Sequence, residues 1–515
     1  MKSLGKVTLV ALLLASSAFA QENQRTSSPG MQTPGSTKPN TGAQEQAMPA
    51  QHHSMQDMEM PTPQSTASNV AAVREPENPS QQTGSNIPVP DLLESAKKAP
   101  AMRLADFEAL AITNNPTLKQ AQSLVRGSAA LERQAGLWPN PAAGYRGDEI
   151  SGGSFRGGEQ GAFLQQNFVL GGKLQRRRNV YEQQRRADEI GVDEQKLDVQ
   201  GAVQMYFYFA LTQLRRVEIQ RALLSVAMDA VATSHQLANV GQADAPDVLQ
   251  AEAEAEQVKI EFVRAQGEYI QAFEELAAVA GATDIPVTFL EGDLETPPVV
   301  DTEKYLHNLA LNSPTLRRAE QNAARAEAAL ARDKREAVPD LLLRGGLQQN
   351  LELNEFTGKP VGLQGFATAS IQIPIFNRNQ GNVEASESNV QNAQQEVERV
   401  RLQLLRTAQP LLQQYLTSKL DAERYSEQII PRAQRAYELY LQKYRNMAAA
   451  YPMVLVSQRT LFQMKDAYIR TLGQLWMASV QLQNYLLTDG LNAPTPGGSM
   501  STQVNLPTSN TGGTD

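Results

Sequence analysis

Nine residues, NNPTLKQAQ, run from Asn114 to Gln122, and NSPTLRRAE runs from Asn312 to Glu320, an offset of 198. A helix-opening signal that returns at so long an interval marks a duplicated unit, far longer than the short repeats of solenoids and arrays. Other marks keep the same order: Pro141 is matched by Pro339 at 198, and Pro246 by Pro452 at 206. The fold therefore has to be one that two copies of a single pattern can build.

Each copy reads as helix, two short segments, one very long helix and one further helix. In the first, helical patterns cover Met102 to Leu137, Lys173 to Ala238 and Val248 to about Ala280, with short segments Pro141 to Glu149 and Gly161 to Leu170. In the second they cover Thr302 to about Ala337, Gln380 to Asn446 and Met453 to about Leu487, with short segments Leu341 to Leu351 and Leu363 to Ile375. At 1.5 Å per residue a helix of roughly 66 residues spans about 100 Å, and its two shorter neighbours placed end to end match it. Ala251, Ala255, Val258, Phe262, Ala265, Tyr269, Ala272, Leu276 and Val279 step by 4 and 3, a coiled-coil seam. Shifted by 206, it reads Ser457, Leu461, Met464, Tyr468, Thr471, Leu475, Ala478, Leu482 and Tyr485.

The short segments alternate as strands do. Leu363, Ala367, Ala369, Ile371, Ile373 and Ile375 share one face against Gln364, Thr368, Ser370 and Gln372, while Leu341, Leu343, Leu347 and Leu351 oppose Arg344, Gln348 and Asn350. Such strands fit a membrane barrel with lipid outside and water inside, or a hairpin covering a soluble core. Four strands cannot close a barrel, and lipid tolerates no open edge, so the barrel reading requires an oligomer; three copies give twelve strands. The expected fold class is mainly α with a small β part: a duplicated, long-helix coiled-coil barrel with four membrane strands per protomer.

Residues 1–20 carry Lys2 and Lys6, an apolar run from Val7 to Leu14 and the ending Ala18-Phe19-Ala20, a secretory signal cleaved before Gln21. The 515 residues contain no cysteine, which excludes disulfides, a thiolate zinc site and a lipid on an N-terminal cysteine. A net charge of -8 leaves no footprint for nucleic acid. Residues 21–100, rich in Gln, Pro, Ser, Thr and Met, read as a disordered arm, and residues 489–515 as a tail of the same kind. Between them lie a first repeat at 101–281, a linker at 282–300 and a second repeat at 301–488.

These stretches resemble the TolC family of outer-membrane efflux proteins: ALAITNNPTLKQA with LALNSPTLRRA, WPNPAAGY with VPDLLLRG, QNFVLGGKLQRR with IQIPIFNRNQGN, and NVGQADAPDVLQAEA with RNMAAAYPMVLVSQR. The resemblance covers about 101–488 and is nearest to the branch serving heavy-metal export. It implies a homotrimer with a twelve-stranded barrel in outer-membrane lipid and a helical tunnel crossing the periplasm. The tunnel would meet a periplasmic adaptor and an inner-membrane pump of the proton-driven resistance-nodulation-division type. By the same analogy Val240, Gly241, Gln242, Asn446, Met447 and Ala448 are adaptor-docking tips, where Gly241 matches the family glycine and Met447 does not. Gly241 also reads simply as a helix-ending glycine. Asp247, Met453 and Val456 fall at the pore constriction, where the family commonly places acidic residues in the second unit. Asp247 reads equally as a helix-start charge.

Other signals carry less. LGGK at Leu170 to Lys173 lacks the P-loop's first glycine, since position 167 is Asn167, and its glycines suit a strand-to-helix turn. QMYFYFAL, Gln204 to Leu211, reads as core. No nucleophile, base or carboxylate pair forms a catalytic constellation, so neither an enzyme nor a cofactor is expected. In the arm, His52, His53, Met55, Met58 and Met60 form a patch suited to Cu(I) or zinc, or else a spacer that collects these residues. The alternative to a channel is a periplasmic adaptor or coiled-coil scaffold; a third class, a periplasmic metal enzyme, lacks ordered ligand spacing in the folded part.

Overall fold

In the computed structural model, which describes residues 90–150, 158–353, 356–446, 448 and 450–496, the duplicated signature acts as a helix break. The residue before a proline is driven out of the α region, and Asn115 (φ -58°, ψ 124°) and Ser313 (φ -57°, ψ 126°) stand before Pro116 and Pro314. The single helices expected over Met102–Leu137 and Thr302–Ala337 are consequently two each. β1 (Met102–Arg103) leads into α1 (Leu104–Asn114) and α2 (Pro116–Ala135).

β2 (Ala142–Asp148) and β3 (Glu159–Phe168) follow, then α3 (Lys173–Asn239, 67 residues) and α4 (Ala245–Val279). β4 (Leu290–Glu291) pairs in parallel with β1, inside the stretch expected to be only a linker. The second copy repeats the order with α5 (Thr302–Asn312), α6 (Pro314–Glu336), β5 (Leu341–Leu353) and β6 (Pro360–Ile371). α7 (Gln380–Arg424), a π turn at Tyr425–Ile429, α8 (Ile430–Arg445) and α9 (Tyr451–Gln483) complete it. The unbroken helix expected over Gln380–Asn446 is thus interrupted. Pro431 lacks the N–H that the preceding turn needs, and the backbone accommodates the missing bond by widening one turn.

All nine positions of the α4 seam are buried. Its shifted counterpart buries only Leu461, Leu475, Ala478 and Leu482; Ser457, Met464, Tyr468 and Thr471 on α9, and Tyr485 just past it, are half-buried. The main core gathers Phe107 of α1, Phe207 of α3, Tyr269 and Phe273 of α4 and Leu475 of α9. Each fully buried side chain of this size contributes roughly 2–3 kcal/mol of transfer free energy. Phe207 confirms the core reading of QMYFYFAL, and its neighbour Tyr208 stacks on Trp476 at 3.6 Å between ring centres.

Two boundaries differ from expectation. Leu93 and Ala96 are fully buried in the main core, so folded structure begins before residue 101. At the other end, the backbone N–H groups of Asp489 and Gly490 donate to Asp198 at 2.9 and 2.8 Å, so the chain beyond residue 488 is still built in. Both segments are too short to show a period.

The four longer strands form one antiparallel sheet in the order β2-β3-β5-β6, joined across the two copies by ten β3–β5 pairs, Glu159↔Asn350 to Phe168↔Leu341.

Candidate functional site

The sheet has two unlike faces. Register places Tyr145, Leu164, Leu347 and Leu363 on one face and Arg146, Gln165, Arg344, Gln348 and Gln364 on the other. The apolar side chains are the exposed ones: Tyr145 61%, Leu164 60%, Leu347 62% and Leu363 70%. On the polar face Gln348 and Asn350 are buried, because both donate to the Glu159 carboxylate. An apolar face left bare beside a polar face on which Gln348 and Asn350 are buried against Glu159 reverses the arrangement of a water-soluble sheet and fits a wall with lipid outside. Ile373, Ile375 and Phe376, just past β6, extend the exposed apolar surface toward the helices. No helix among the described residues is long and apolar enough to cross a membrane.

At the helix side of the sheet the LGGK turn behaves as its glycines require. Gly171 and Gly172 take φ 69° and 71°, left-handed values that cost other residues about 1 kcal/mol. The chain then turns so that Lys173, 3% exposed, meets Asp340 at 2.6 Å. Asn379, φ 65°, serves at the corresponding place before α7.

At the far end of α3, the tip is a Schellman cap. The N–H of Gln242 donates to the Leu237 carbonyl at 2.8 Å and that of Gly241 to Ala238 at 3.0 Å, with Gly241 at φ 72°. The second tip repeats the wider bond, Ala448 N–H to Lys443 carbonyl at 2.8 Å, after Asn446 donates to Gln442 at 3.0 Å. Met447 lies outside the described residues. Val240 is 68% exposed, and a Cβ placed on Gly241 would meet nothing within 4 Å, so this tip presents free surface.

The two hairpins meet just behind the tips. Ala251 and Glu254 of α4 face Leu455 and Arg459 of α9 across a gap of about 30 Å³, with Arg459 3.5 Å from Glu254. Met453 and Val456, close to Leu455 along α9, are exposed. Asp247 is engaged differently: its carboxylate accepts the Asp244 N–H at 3.4 Å while the Asp244 side chain accepts in return, a capping box at the start of α4. The helix-start reading of Asp247 is therefore the one this geometry displays.

Sequence inspection missed two polar clusters. Asn115, fully buried, donates to the Val279 and Gly490 carbonyls at 3.0 and 3.1 Å and accepts from Thr117, tying α2, α4 and the residues after α9 together. Arg216 of α3 bonds Asp466 of α9 at 3.0 Å and Glu268 of α4; burial works against its charge, and the two carboxylates overcome it. The repeated Asn/Ser-Pro signature pointed at the first cluster. Nothing in the local sequence pointed at the second, whose members lie 52 and 250 residues apart. His52, His53, Met55, Met58 and Met60 lie outside the described residues, as does the expected signal. Among the described residues no cluster of three or more His, Cys, Asp or Glu is placed to hold a metal ion.

With this geometry in view, sequence comparison supplies the class. The profile of the family described as Outer membrane efflux protein matches residues 109–282 and 305–486, one match for each copy. The chain belongs to the outer membrane efflux protein family. Among its relatives, the cobalt-zinc-cadmium resistance protein CzcC of Cupriavidus metallidurans is 25% identical over 317 residues, covering 62% of this chain and 74% of that one. The nickel-cobalt-cadmium resistance protein NccC of Alcaligenes xylosoxydans xylosoxydans is 25% identical over 313 residues, covering 60% and 68%. Among solved structures, CusC superposes with a TM-score of 0.62 at 17% identity, covering 74% of this chain and 91% of that one. Proteins of this family are transport channels, and the scaffold alternative accounts for neither the family match nor the bare apolar sheet face.

Proposed function

We propose that this chain is the outer-membrane exit duct of a tripartite system exporting divalent heavy-metal cations, with three copies closing one barrel. The observation that carries this is the four-stranded sheet with its exposed apolar face and with β2 and β6 as its outer strands. An open strand edge is excluded from hydrocarbon. Natural barrels of this kind begin at about eight strands, so copies must join edge to edge, and three copies give the twelve strands that the resemblance to the TolC family implies. The α3/α4 and α7/α8/α9 hairpins, on the opposite side of the sheet from the strand loops, then form the periplasmic tunnel.

The cargo reading rests on the two resistance proteins among the relatives, whose names specify cobalt, zinc, cadmium and nickel. An adaptor docks at the tips, Val240, Gly241 and Gln242 with Asn446, Met447 and Ala448, and hands over from a proton-driven inner-membrane pump. Met453 and Val456 contribute an apolar part of the constriction beside Asp247. The arm patch from His52 to Met60 gathers Cu(I) or zinc weakly near the pump, through its imidazole and thioether groups. Calorimetry on a peptide spanning residues 51–60 tests that part separately.

The main test is deletion of the gene and complementation, scored as growth in graded cobalt, zinc and cadmium, with the protein traced by fractionation. The expected result is lost metal tolerance restored by the intact chain, which is recovered from outer-membrane detergent extracts as a trimer resistant to mild SDS. Recovery in the soluble periplasmic fraction would return the scaffold reading. Unchanged metal tolerance with lost drug tolerance would overturn the cargo.

A further inference from the structure

The polar face of the sheet carries an arrangement that the strand alternation does not announce. Arg146 of β2, Phe163 of β3, Arg344 of β5 and Phe366 of β6 all project from it. The guanidinium carbon of Arg344 lies 3.8 Å from the centre of the Phe163 ring and 6.0 Å from that of Phe366, and that of Arg146 lies 4.9 Å from Phe366. Three strand spacings of about 4.8 Å would hold β2 and β6 roughly 14 Å apart in a flat sheet. Their side chains therefore reach across β3 and β5, laying guanidinia and rings in one layer over this face.

Glycines set how the rings lie. A Cβ on Gly144 would sit 2.7 Å from a Phe163 ring carbon, and one on Gly346 would sit 2.8 Å from Phe366. Each ring therefore occupies the space of a missing side chain on a neighbouring strand and lies along the wall, with a guanidinium on top. What faces the lumen at this level is cation rather than phenyl.

The charges separate along the strands. Arg146 is paired with Asp148. Arg344 forms no ion pair among the described residues, and its Nε is buried without a hydrogen-bond partner. The acid Glu159 is held by Gln348 and Asn350 and lies in register with Asn350, six residues along β5 from Arg344. Six residues of strand span roughly 20 Å, well beyond the screening length of about 8 Å in physiological salt. Carboxylates therefore stand toward the strand loops, and an uncompensated guanidinium stands toward the helices.

We propose that Arg344, stacked on Phe163 beside Phe366, forms an anion-attracting belt inside the barrel, taking small inorganic or carboxylate anions, of which chloride is the simplest. This rests on the channel reading, in which three copies set three such guanidinia at one level. Stacking covers the faces of a guanidinium and leaves its edge donors free for a planar or spherical anion.

The natural absence of cysteine makes a local test possible. Thr368 is exposed and pairs in register with Arg344, so Thr368→Cys in the full-length trimer reports the potential beside it. The test compares its reaction rates with a sulfonate-bearing and a trimethylammonium-bearing methanethiosulfonate, then repeats the comparison with Arg344→Gln and Arg344→Lys added. The sulfonate reagent should react faster by at least about threefold, an advantage that Arg344→Lys keeps and Arg344→Gln removes. Equal rates, or a faster cationic reagent, with Arg344 in place would overturn the belt even if no Arg344 variant assembled. The channel reading is checked separately by conductance of the unlabelled trimer in phosphatidylcholine bilayers. A conducting trimer without the rate difference sinks the belt alone, and a trimer that does not conduct sinks the reading beneath it.

Discussion

Gly241 and Glu132 show what single residues contribute to this chain. Gly241 is left-handed with open space around its missing Cβ, so a side chain there strains the cap by about 1 kcal/mol and collides with nothing in the protomer. Gly241→Trp should leave trimer assembly intact and abolish export, read as metal tolerance in a complemented deletion strain. Unchanged export would remove the docking role. Glu132, only 8% exposed, accepts from Arg185 Nε at 2.9 Å and from Arg178 Nη2 at 3.1 Å. The Arg185 bond, against the opposing effect of burial and with Arg178 assisting, holds its carboxyl below the usual range. A folded pKa below the unfolded one gives stability that is present above the unfolded value and lost as pH falls through the folded value. Glu132→Gln should therefore cost about 1–2 kcal/mol near pH 7, with the deficit shrinking below about pH 4 in thermal melts across pH. A deficit that is constant with pH would deny the charge its role. Gly241 was legible because its αL requirement shows in the sequence, whereas the arginines that hold Glu132 lie 46 and 53 residues away on another helix.

At the scale of elements, periodic order was readable and its interruptions were not. The α4 seam was legible to the residue because small and large apolar side chains alternate at 4 and 3 spacing. The alternation in β5 and β6 likewise fixed which face is apolar. The breaks at Pro116, Pro314 and Pro431 need bookkeeping of the lost backbone bond, which a periodic pattern does not record. The signature that first exposed the duplication opens α2 and α6 rather than α1 and α5, and Asn115 makes that opening in α2 a structural joint. Asn115→Ala would leave two buried carbonyls and one buried N–H without this partner, so it should cost roughly 2–4 kcal/mol, seen as a lower thermal midpoint with the outer-membrane fraction depleted. A midpoint unchanged from wild type would count against the joint. The α9 start carries exposed Met453, where the family commonly has an acid and an apolar contribution to the constriction is expected instead. Met453→Asp should raise cation selectivity and alter single-channel conductance in planar bilayers, and identical recordings would place Met453 outside the constriction.

For the whole molecule, duplication explains the sheet: each copy supplies one hairpin, and β3–β5 pairing fuses the two into one four-stranded sheet. The open edges of that sheet call for further copies beside it in lipid, and the proposed number is three. Because the chain has no cysteine, pairs introduced on facing edges report on one contact only. Ala143→Cys or Tyr145→Cys on β2 can be combined in turn with Gly365→Cys, Ala367→Cys or Ala369→Cys on β6, all on the apolar face by register. The three-copy barrel predicts that at least one pair, oxidised in outer-membrane fractions, yields covalent dimers and trimers on non-reducing gels and no larger ladder, and that each single substitution yields monomer. Monomer from every pair, or a ladder running past three, would contradict it.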